Sequence, residues 1–273
     1  MIEEYKKISI VGAGVMGEVI LDGIISSNLY SPKNVLITAL RPKNLEIIKE
    51  KYNVNISTDN RTVVNFSDII ILAVKPNNME SVIKEISNES LKNNTIIISI
   101  AAGISIKKIS NLFNKNLPII RVMTNTACMV KNGMSVLCGN EFVTPYQMNI
   151  AKEIFNSVGE TMTLQEKYFD AVTGLSGSGP GFLFLIAETL IDAGVLQGLP
   201  RDVSRKLVIE TMLGSSLLLK KTDKHPAPLK DMVTSPGGTT IAGIQVMEEY
   251  KVRAALLKVV EVATKKSKEL GEI

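Results

Sequence analysis

The sequence predicts an α/β domain with a doubly wound, mostly parallel sheet, followed by an all-α domain. Three observations carry this. Short β-rich runs alternate with helical patterns through the first half, the rhythm of strands joined by helical crossovers. A glycine-rich stretch, GAGVMG, sits where the first strand hands over to the first helix. After Leu164 the β-rich runs cease and apolar helical patterns take over. The domains are therefore drawn at residues 1–163 and 164–273, a division that the chain length allows.

In order, residues 8–11 read as a strand and 18–25 as a helix. Residues 35–39 form a second strand and 45–52 a second helix. The run at 69–74 is continuously apolar, as a parallel strand covered on both faces requires. Residues 95–100 and 119–122 are further strands. In the second half, a Gly/Ser turn precedes Pro180, which opens a helix. Phe182, Leu185, Ile186, Leu190 and Ala193 recur there at helical spacing, yet the opposite face is also largely apolar. A helix apolar nearly all round is a buried one. Its charges, Glu188 and Asp192, have two readings, members of a site or partners of basic residues on another helix, and the structural one is favoured. A second helix follows Leu199–Pro200, and a single third helix is expected from Thr240 to about Leu270. So many apolar helices make a thin monomeric domain, which predicts a homodimer or higher form sharing one core.

Composition excludes several classes. Hydrophobic residues make up 45% and charged residues 21%, an ordinary globular balance. The net charge of +4 is modest and its lysines scattered, so no nucleic-acid partner is expected. MIEEYKK carries acid at once and does not read as a signal peptide. The greasiest runs are broken by Ser, Gly, Glu188 and Asp192 and are not read as membrane spans. Cys128 and Cys138 form no CxxC pair and are read as buried free thiols, which places the protein in a reducing cytoplasm. The single His225 has no company for a metal site and reads as a turn residue.

GAGVMG fits G-x-G-x-x-G between a strand and a helix, the context of a dinucleotide site. Gly12 permits the tight turn, Gly14 lets backbone N–H groups approach a pyrophosphate, and Gly17 lets the helix pack close. Ala13, Val15 and Met16 complete the loop. At the end of the second strand an NAD site places an acid, but here Leu40 and Arg41 stand in that region. A guanidinium suits a 2′-phosphate, so NADP(H) is favoured, with NAD(H) second. Ala73, Val74, Lys75 and Pro76 end the next long strand, where open α/β sheets bind ligands. Ala73 leaves room for a flat ring and Pro76 stops the strand. Lys75 has two readings, a phosphate neutraliser or a solvated side chain. The small residues Ala101, Ala102 and Gly103 end the following strand and would let a nicotinamide lie against backbone. TSPGGTT, residues 234–240, reads as a loop of hydroxyls and bare backbone entering a helix.

Together these residues resemble the pyrroline-5-carboxylate reductase family, from about Lys7 to Lys268. The most specific stretches are AVKP, SIAAG, GLSGSGP, DAGVLQGL and HPAPLKDMVTSPGGTTIAGIQVMEE. The resemblance implies a Rossmann domain joined to a helical domain like that of 6-phosphogluconate dehydrogenase. It also implies reduction of (S)-1-pyrroline-5-carboxylate to L-proline with NAD(P)H, by a homodimer that assembles further, for example into a decamer. By resemblance, Asn60 and Asn125 join the cofactor residues, and Thr240 points at the substrate nitrogen. Ala127 and Gly181 depart from the family's usual proline and alanine. The chemistry of the loop agrees with the resemblance. Ser235, Gly237, Gly238, Thr239 and Thr240 offer N–H groups and hydroxyls for a small carboxylate and one ring nitrogen. No metal is expected. A related imine reductase, a β-hydroxyacid dehydrogenase of the same architecture and a non-catalytic NADPH-binding regulator stay open as alternatives. No lysine falls within GLSGSGP or TSPGGTT, which counts against the hydroxyacid dehydrogenase.

Overall fold

A computed structural model describes residues 5–272. The first four residues of the MIEEYKK stretch lie outside the described residues. The chain separates into two compact units. One runs to Ser178 and resumes at Ala263; the other is Gly179–Val262. The last strand ends at Thr163, so residues between it and Ser178 are non-strand chain that packs with the sheet unit.

The strands of the first unit are β1 (Ile8–Val11), β2 (Val35–Thr38), β3 (Asn55–Ser57), β4 (Ile69–Leu72), β5 (Ile96–Ser99), β6 (Ile119–Met123), β7 (Gly133–Gly139) and β8 (Gly159–Thr163). Its helices are α1 (Val15–Ser26), α2 (Pro42–Tyr52), α3 (Thr62–Phe66), α4 (Met79–Ser87), α5 (Ile106–Phe113), α6 (Pro145–Asn156) and the short α7 (Phe169–Val172). Among the described residues the strands form one sheet in the order β3-β2-β1-β4-β5-β6-β7-β8. Every neighbouring pair is parallel except β6 with β7. The order reverses at β1, which lies between β2 and β4 with Ile8 opposite both Val35 and Ile69. That is the switch point at which doubly wound sheets open a crevice at their carboxyl ends.

The sheet is covered on both faces, as its apolar runs require. Ile8, Ile10, Ile69 and Ile71 share one core with Ile20 and Ile24 of α1 and Ile154 and Phe155 of α6. Val11, Ile70 and Leu72 share the other with Ile83 of α4 and Ile109 and Phe113 of α5. Both cysteines are buried and free. Burial, and secondarily the charge of Glu166, pushes the Cys138 thiol up to about 12.

The Gly/Ser stretch folds into a π-turn at Thr173–Gly177, closed by Ser178 N–H donating to Thr173 O at 2.8 Å. The helices of the second half are α8 (Gly179–Leu196), α9 (Arg201–Thr222), α10 (Pro226–Met232), α11 (Thr239–Glu249) and α12 (Val252–Glu272), the last passing into the first unit from Ala263. In the second unit Ser204 of α9 donates its hydroxyl to Ile191 O of α8 at 2.8 Å, and Arg201 pairs with Asp192 at 2.7 Å. Asp192 therefore has the structural partner expected for it. His225 caps α10, its Nδ1 accepting from Ala227 N–H at 3.2 Å. The single helix expected from Thr240 to Leu270 is corrected to two. Lys251 adopts a left-handed φ of 56°, and Tyr250 N–H closes α11 onto Val246 O. No Gly or Pro marks this break in the sequence.

One segment among the described residues, Glu166–Leu196, is long and apolar enough to cross a membrane by length and composition alone. Before Gly179 it is a succession of a 3-10 turn, the short α7 and the π-turn, and the regular α8 spans 18 residues. At 1.5 Å per residue that is about 27 Å, just under a bilayer core of about 30 Å.

Candidate active site

The glycine loop is shaped by close backbone approach. Gly12 has φ +111°, and its N–H donates to Thr38 O at 2.9 Å. A Cβ there would lie 2.7 Å from Ala73 O, and one on Gly17 would lie 2.0 Å from Gly12 O. Neither position admits a side chain. Gly14 is different: it is the N-cap of α1, no side chain caps the helix, and a Cβ there would meet nothing within 4 Å. The uncapped first turn thus opens to space, as a pyrophosphate seat requires.

This loop forms one wall of a cavity of about 360 Å³. Of the expected cofactor residues, Gly12, Ala13, Gly14, Arg41, Asn60 and Val74 line it. Arg41 is the exposed N-cap residue of α2, preceding Pro42. Asn60 is buried and makes two side-chain bonds. It accepts from Thr38 Oγ1 at 2.6 Å and donates through Nδ2 to Glu85 Oε2 at 2.8 Å. Asn78, Ser81 and Glu85 line the same cavity and were missed by sequence reasoning. Their signal was a polar stripe at three- and four-residue spacing, one face of a helix just beyond AVKP.

Other expected residues lie elsewhere. Met16 and Gly17 sit in the first turn of α1. Val15 lines a separate cavity of about 470 Å³, with Met129 and Lys131. Lys75 is exposed ahead of the turn that Pro76 opens. Pro76 and Ala102 line a third cavity, of about 390 Å³, together with Leu270. Ala101 is buried, and Gly103, at φ +75°, faces the end of α12, where a Cβ would lie 3.6 Å from Leu270 O. Asn125 is held by the π-turn: its Nδ2 donates to Ser176 O and to Ser176 Oγ, both at 3.3 Å, and its Oδ1 accepts from Met134 N–H.

In the second unit, residues 234–240 make the turn into α11. Gly237 takes φ +66°, and Gly238 N–H donates to Ser235 O at 3.0 Å. Gly238 is the N-cap and no side chain caps the helix. Thr239 and Thr240 are therefore the first and second residues of α11, both exposed, with the first-turn N–H groups unspent on a cap. No side-chain bond of the Thr240 hydroxyl occurs among the described residues. That hydroxyl does not cap α11, because Gly238 occupies the N-cap position.

Residues 166–270 match the family described as pyrroline-5-carboxylate reductase dimerisation, and residues 7–103 match NADP oxidoreductase, coenzyme F420-dependent. A pyrroline-5-carboxylate reductase of Synechocystis sp. is 41% identical over 97% of this chain and 98% of its own length. The chain belongs to the pyrroline-5-carboxylate reductase family.

A crystal structure of the Plasmodium falciparum pyrroline carboxylate reductase with NADP bound is 33% identical, covers 99% of this chain and 100% of that one, and superimposes with a TM-score of 0.88. The Coxiella burnetii pyrroline-5-carboxylate reductase reaches 0.91 at 33% identity, covering 97% of this chain and 98% of that one. The activity is accordingly that of an NAD(P)H-dependent oxidoreductase reducing (S)-1-pyrroline-5-carboxylate to L-proline, in proline biosynthesis. The alternatives of a hydroxyacid dehydrogenase and a non-catalytic regulator are set aside. The two departures from the family pattern fit locally. Gly181 has free space for a Cβ, and Ala127 lies in the 3-10 turn Thr126–Val130.

Proposed function

We propose that this pyrroline-5-carboxylate reductase prefers NADPH, grips its substrate's carboxylate with the TSPGGTT loop, and uses the Thr240 hydroxyl at the ring nitrogen. The observation that carries the reading is the uncapped start of α11, where Gly238 stands at the N-cap and Thr240 follows in the first turn. A carboxylate placed there meets N–H donors and the positive end of the helix, a favourable interaction of about 0.3–1 kcal/mol at an exposed site. The substrate is a cyclic imine, and once protonated it is already electrophilic. Thr240 then needs only to hydrogen-bond the nitrogen, fixing its orientation and relaying a proton. Thr239 contributes its backbone N–H, and Ser235 fixes the turn through its carbonyl.

The cradle at Gly12 and Gly14 fits a dinucleotide, since a side chain at Gly12 would collide and the space before Gly14 is open. When bound, NAD(P)H supplies hydride to the imine carbon. Gly12, Ala13 and Gly14 hold the pyrophosphate with Val15, Met16 and Gly17 shaping the helix start, and Arg41 binds the 2′-phosphate. The remaining members of the proposed cofactor set are Asn60, Ala73, Val74, Lys75, Pro76, Ala101, Ala102, Gly103 and Asn125.

In the same reading the enzyme is a cytoplasmic homodimer that assembles further, for example into a decamer; the second unit supports the dimer. Leu183, Phe184 and Leu185 of α8 are more than half exposed in a single chain, as is Leu213 of α9. Burying one such side chain is worth about 1.5–3 kcal/mol. A second copy covers them better than lipid does, because Glu188 and Asp192 lie on the same helix. The test is NADPH oxidation with pyrroline-5-carboxylate, run beside the Thr240→Val variant. Full turnover by that variant would reject the hydroxyl's role.

A further inference from the structure

We propose that Glu85 is a specificity-determining residue of the cofactor cavity, an acid that opposes the 2′-phosphate of NADPH and offsets part of the preference given by Arg41. The proposal rests on the reading of this cavity as the NAD(P)H site. The acid usual at the end of the second strand is replaced by Arg41, yet the cavity still holds a carboxylate, delivered from α4.

That carboxylate is held in place by a chain of three side chains. Thr38 ends β2 and is fully buried; it donates to Asn60 Oδ1 at 2.6 Å. This fixes the amide so that Nδ2 points to Glu85 Oε2, at 2.8 Å. Both ends of the Asn60 amide are thereby engaged within the protein, and Asn60 acts as a positioning residue for Glu85. The second carboxylate oxygen of Glu85 has no bond among the described residues.

The nearby cation does not cancel this charge. Arg61 forks onto Asp59, with Nε to Oδ1 at 2.9 Å and Nη2 to Oδ2 at 2.8 Å. Its charge is met by its own neighbour. Arg41 makes no ion pair among the described residues and lines the cavity with Glu85. The site therefore presents a free cation and a fixed anion to the same nucleotide. A 2′-phosphate brings close to two negative charges, whereas the 2′-hydroxyl of NADH brings none and can donate to a carboxylate. The repulsion added at the 2′ position falls on NADPH alone.

The experiment is calorimetric titration of the full-length wild type and of Glu85→Gln with 2′,5′-ADP and with 5′-AMP, which carry the adenosine end with and without the phosphate. Glu85→Gln keeps the acceptor for Asn60 and removes the charge. The ratio of 2′,5′-ADP affinity to 5′-AMP affinity should rise about 3- to 10-fold, the effect of one screened charge near a surface. Glu85→Ala should shift the ratio in the same direction. A ratio unchanged or lowered in both variants, with the wild type binding normally, would overturn the role of Glu85. A wild type that binds neither nucleotide would overturn the cofactor reading itself, and the proposal with it.

Discussion

Arg121 donates through Nη1 to Glu166 Oε1 across 2.9 Å, and the same oxygen accepts from Ile106 N–H at 2.8 Å. One carboxylate thus ties β6, the start of α5 and the first residue of the dimerisation match. Arg121 is nearly buried, with its guanidinium 4.9 Å from the Phe169 ring, while Glu166 is a third exposed. Glu166→Ala strands a buried guanidinium and should cost about 2–3 kcal/mol in denaturant unfolding. Combining it with Arg121→Met should cost less than the single change, because no charge is left unpaired. A double variant less stable than Glu166→Ala would contradict this account.

The Cys138 thiol gives a pH dependence whose sign is fixed. In the unfolded chain a cysteine loses its proton near 8.5, while in the fold Cys138 keeps it to about 12. Its contribution to stability is therefore complete below about pH 8.5 and is lost as the pH rises toward 12. Burial pushes Tyr30 up as well, so the alkaline slope has more than one source. Cys138→Ala should flatten the slope between pH 9 and 11 by up to about 1.4 kcal/mol per pH unit. An unchanged slope in that variant would remove the thiol from the account. Native alkylation of Cys138 at neutral pH should also be slow.

The parts legible in the sequence are those whose cause is local. Ile8–Val11 and Ile69–Leu72 are runs without a polar break that must be covered on both faces, and both are buried strands. GAGVMG announced itself because a turn and a helix start need those glycines at those places. By contrast β8, Gly159–Thr163, carries Glu160 and two threonines at half-exposed or exposed positions, and its one large apolar residue, Met162, makes no pattern. β3 has three residues, too few for a pattern. The break at Lys251 rests on a left-handed lysine that no composition rule flags. Within the cavity, Asn60 was expected as a ligand residue; its amide also bonds Thr38 and Glu85, residues 22 and 25 positions away. Such partnerships exist only after β2 and α4 are brought together.

Arg41 is exposed at the N-cap of α2 and lines the same cavity as Gly12 and Gly14, so its charge is open to a phosphate placed there. Wild-type kcat/KM should be higher with NADPH than with NADH. Arg41→Asp should lower NADPH affinity by about ten- to a hundred-fold, the worth of charge-assisted hydrogen bonds, and NADH affinity by no more than about threefold. Equal losses for both cofactors would point to a damaged fold and away from phosphate recognition.

The exposed leucines of α8 and α9 predict that light scattering finds no monomer at micromolar protein. Leu183→Glu with Phe184→Lys should yield a smaller species with lower thermal stability. An active monomer of the wild type would reject the shared helical core. Binding of the folded wild type to lipid vesicles, with no self-association, would favour lipid as what covers this face.

Thr240 separates catalysis from architecture. Gly238 already occupies the N-cap of α11, so removal of the Thr240 hydroxyl withdraws no cap from that helix. A valine keeps the volume and the branching at Cβ, and the second position of a helix tolerates either residue within a few tenths of a kcal/mol. Thr240→Val should therefore melt within a degree or two of wild type and bind NADPH unchanged. Turnover should fall by about one to two orders of magnitude, the lower range for a group that transfers or steadies a proton. The loss should appear in kcat more than in KM, because in the proposed site the carboxylate meets backbone N–H groups that the substitution leaves in place. Thr239→Val, whose contribution is its N–H, should lose less. Thr240→Ser restores the hydroxyl without the methyl and should recover most of the rate. If Thr240→Val turned over at the wild-type rate, the loop would be left as a carboxylate grip and the nitrogen would find its proton elsewhere.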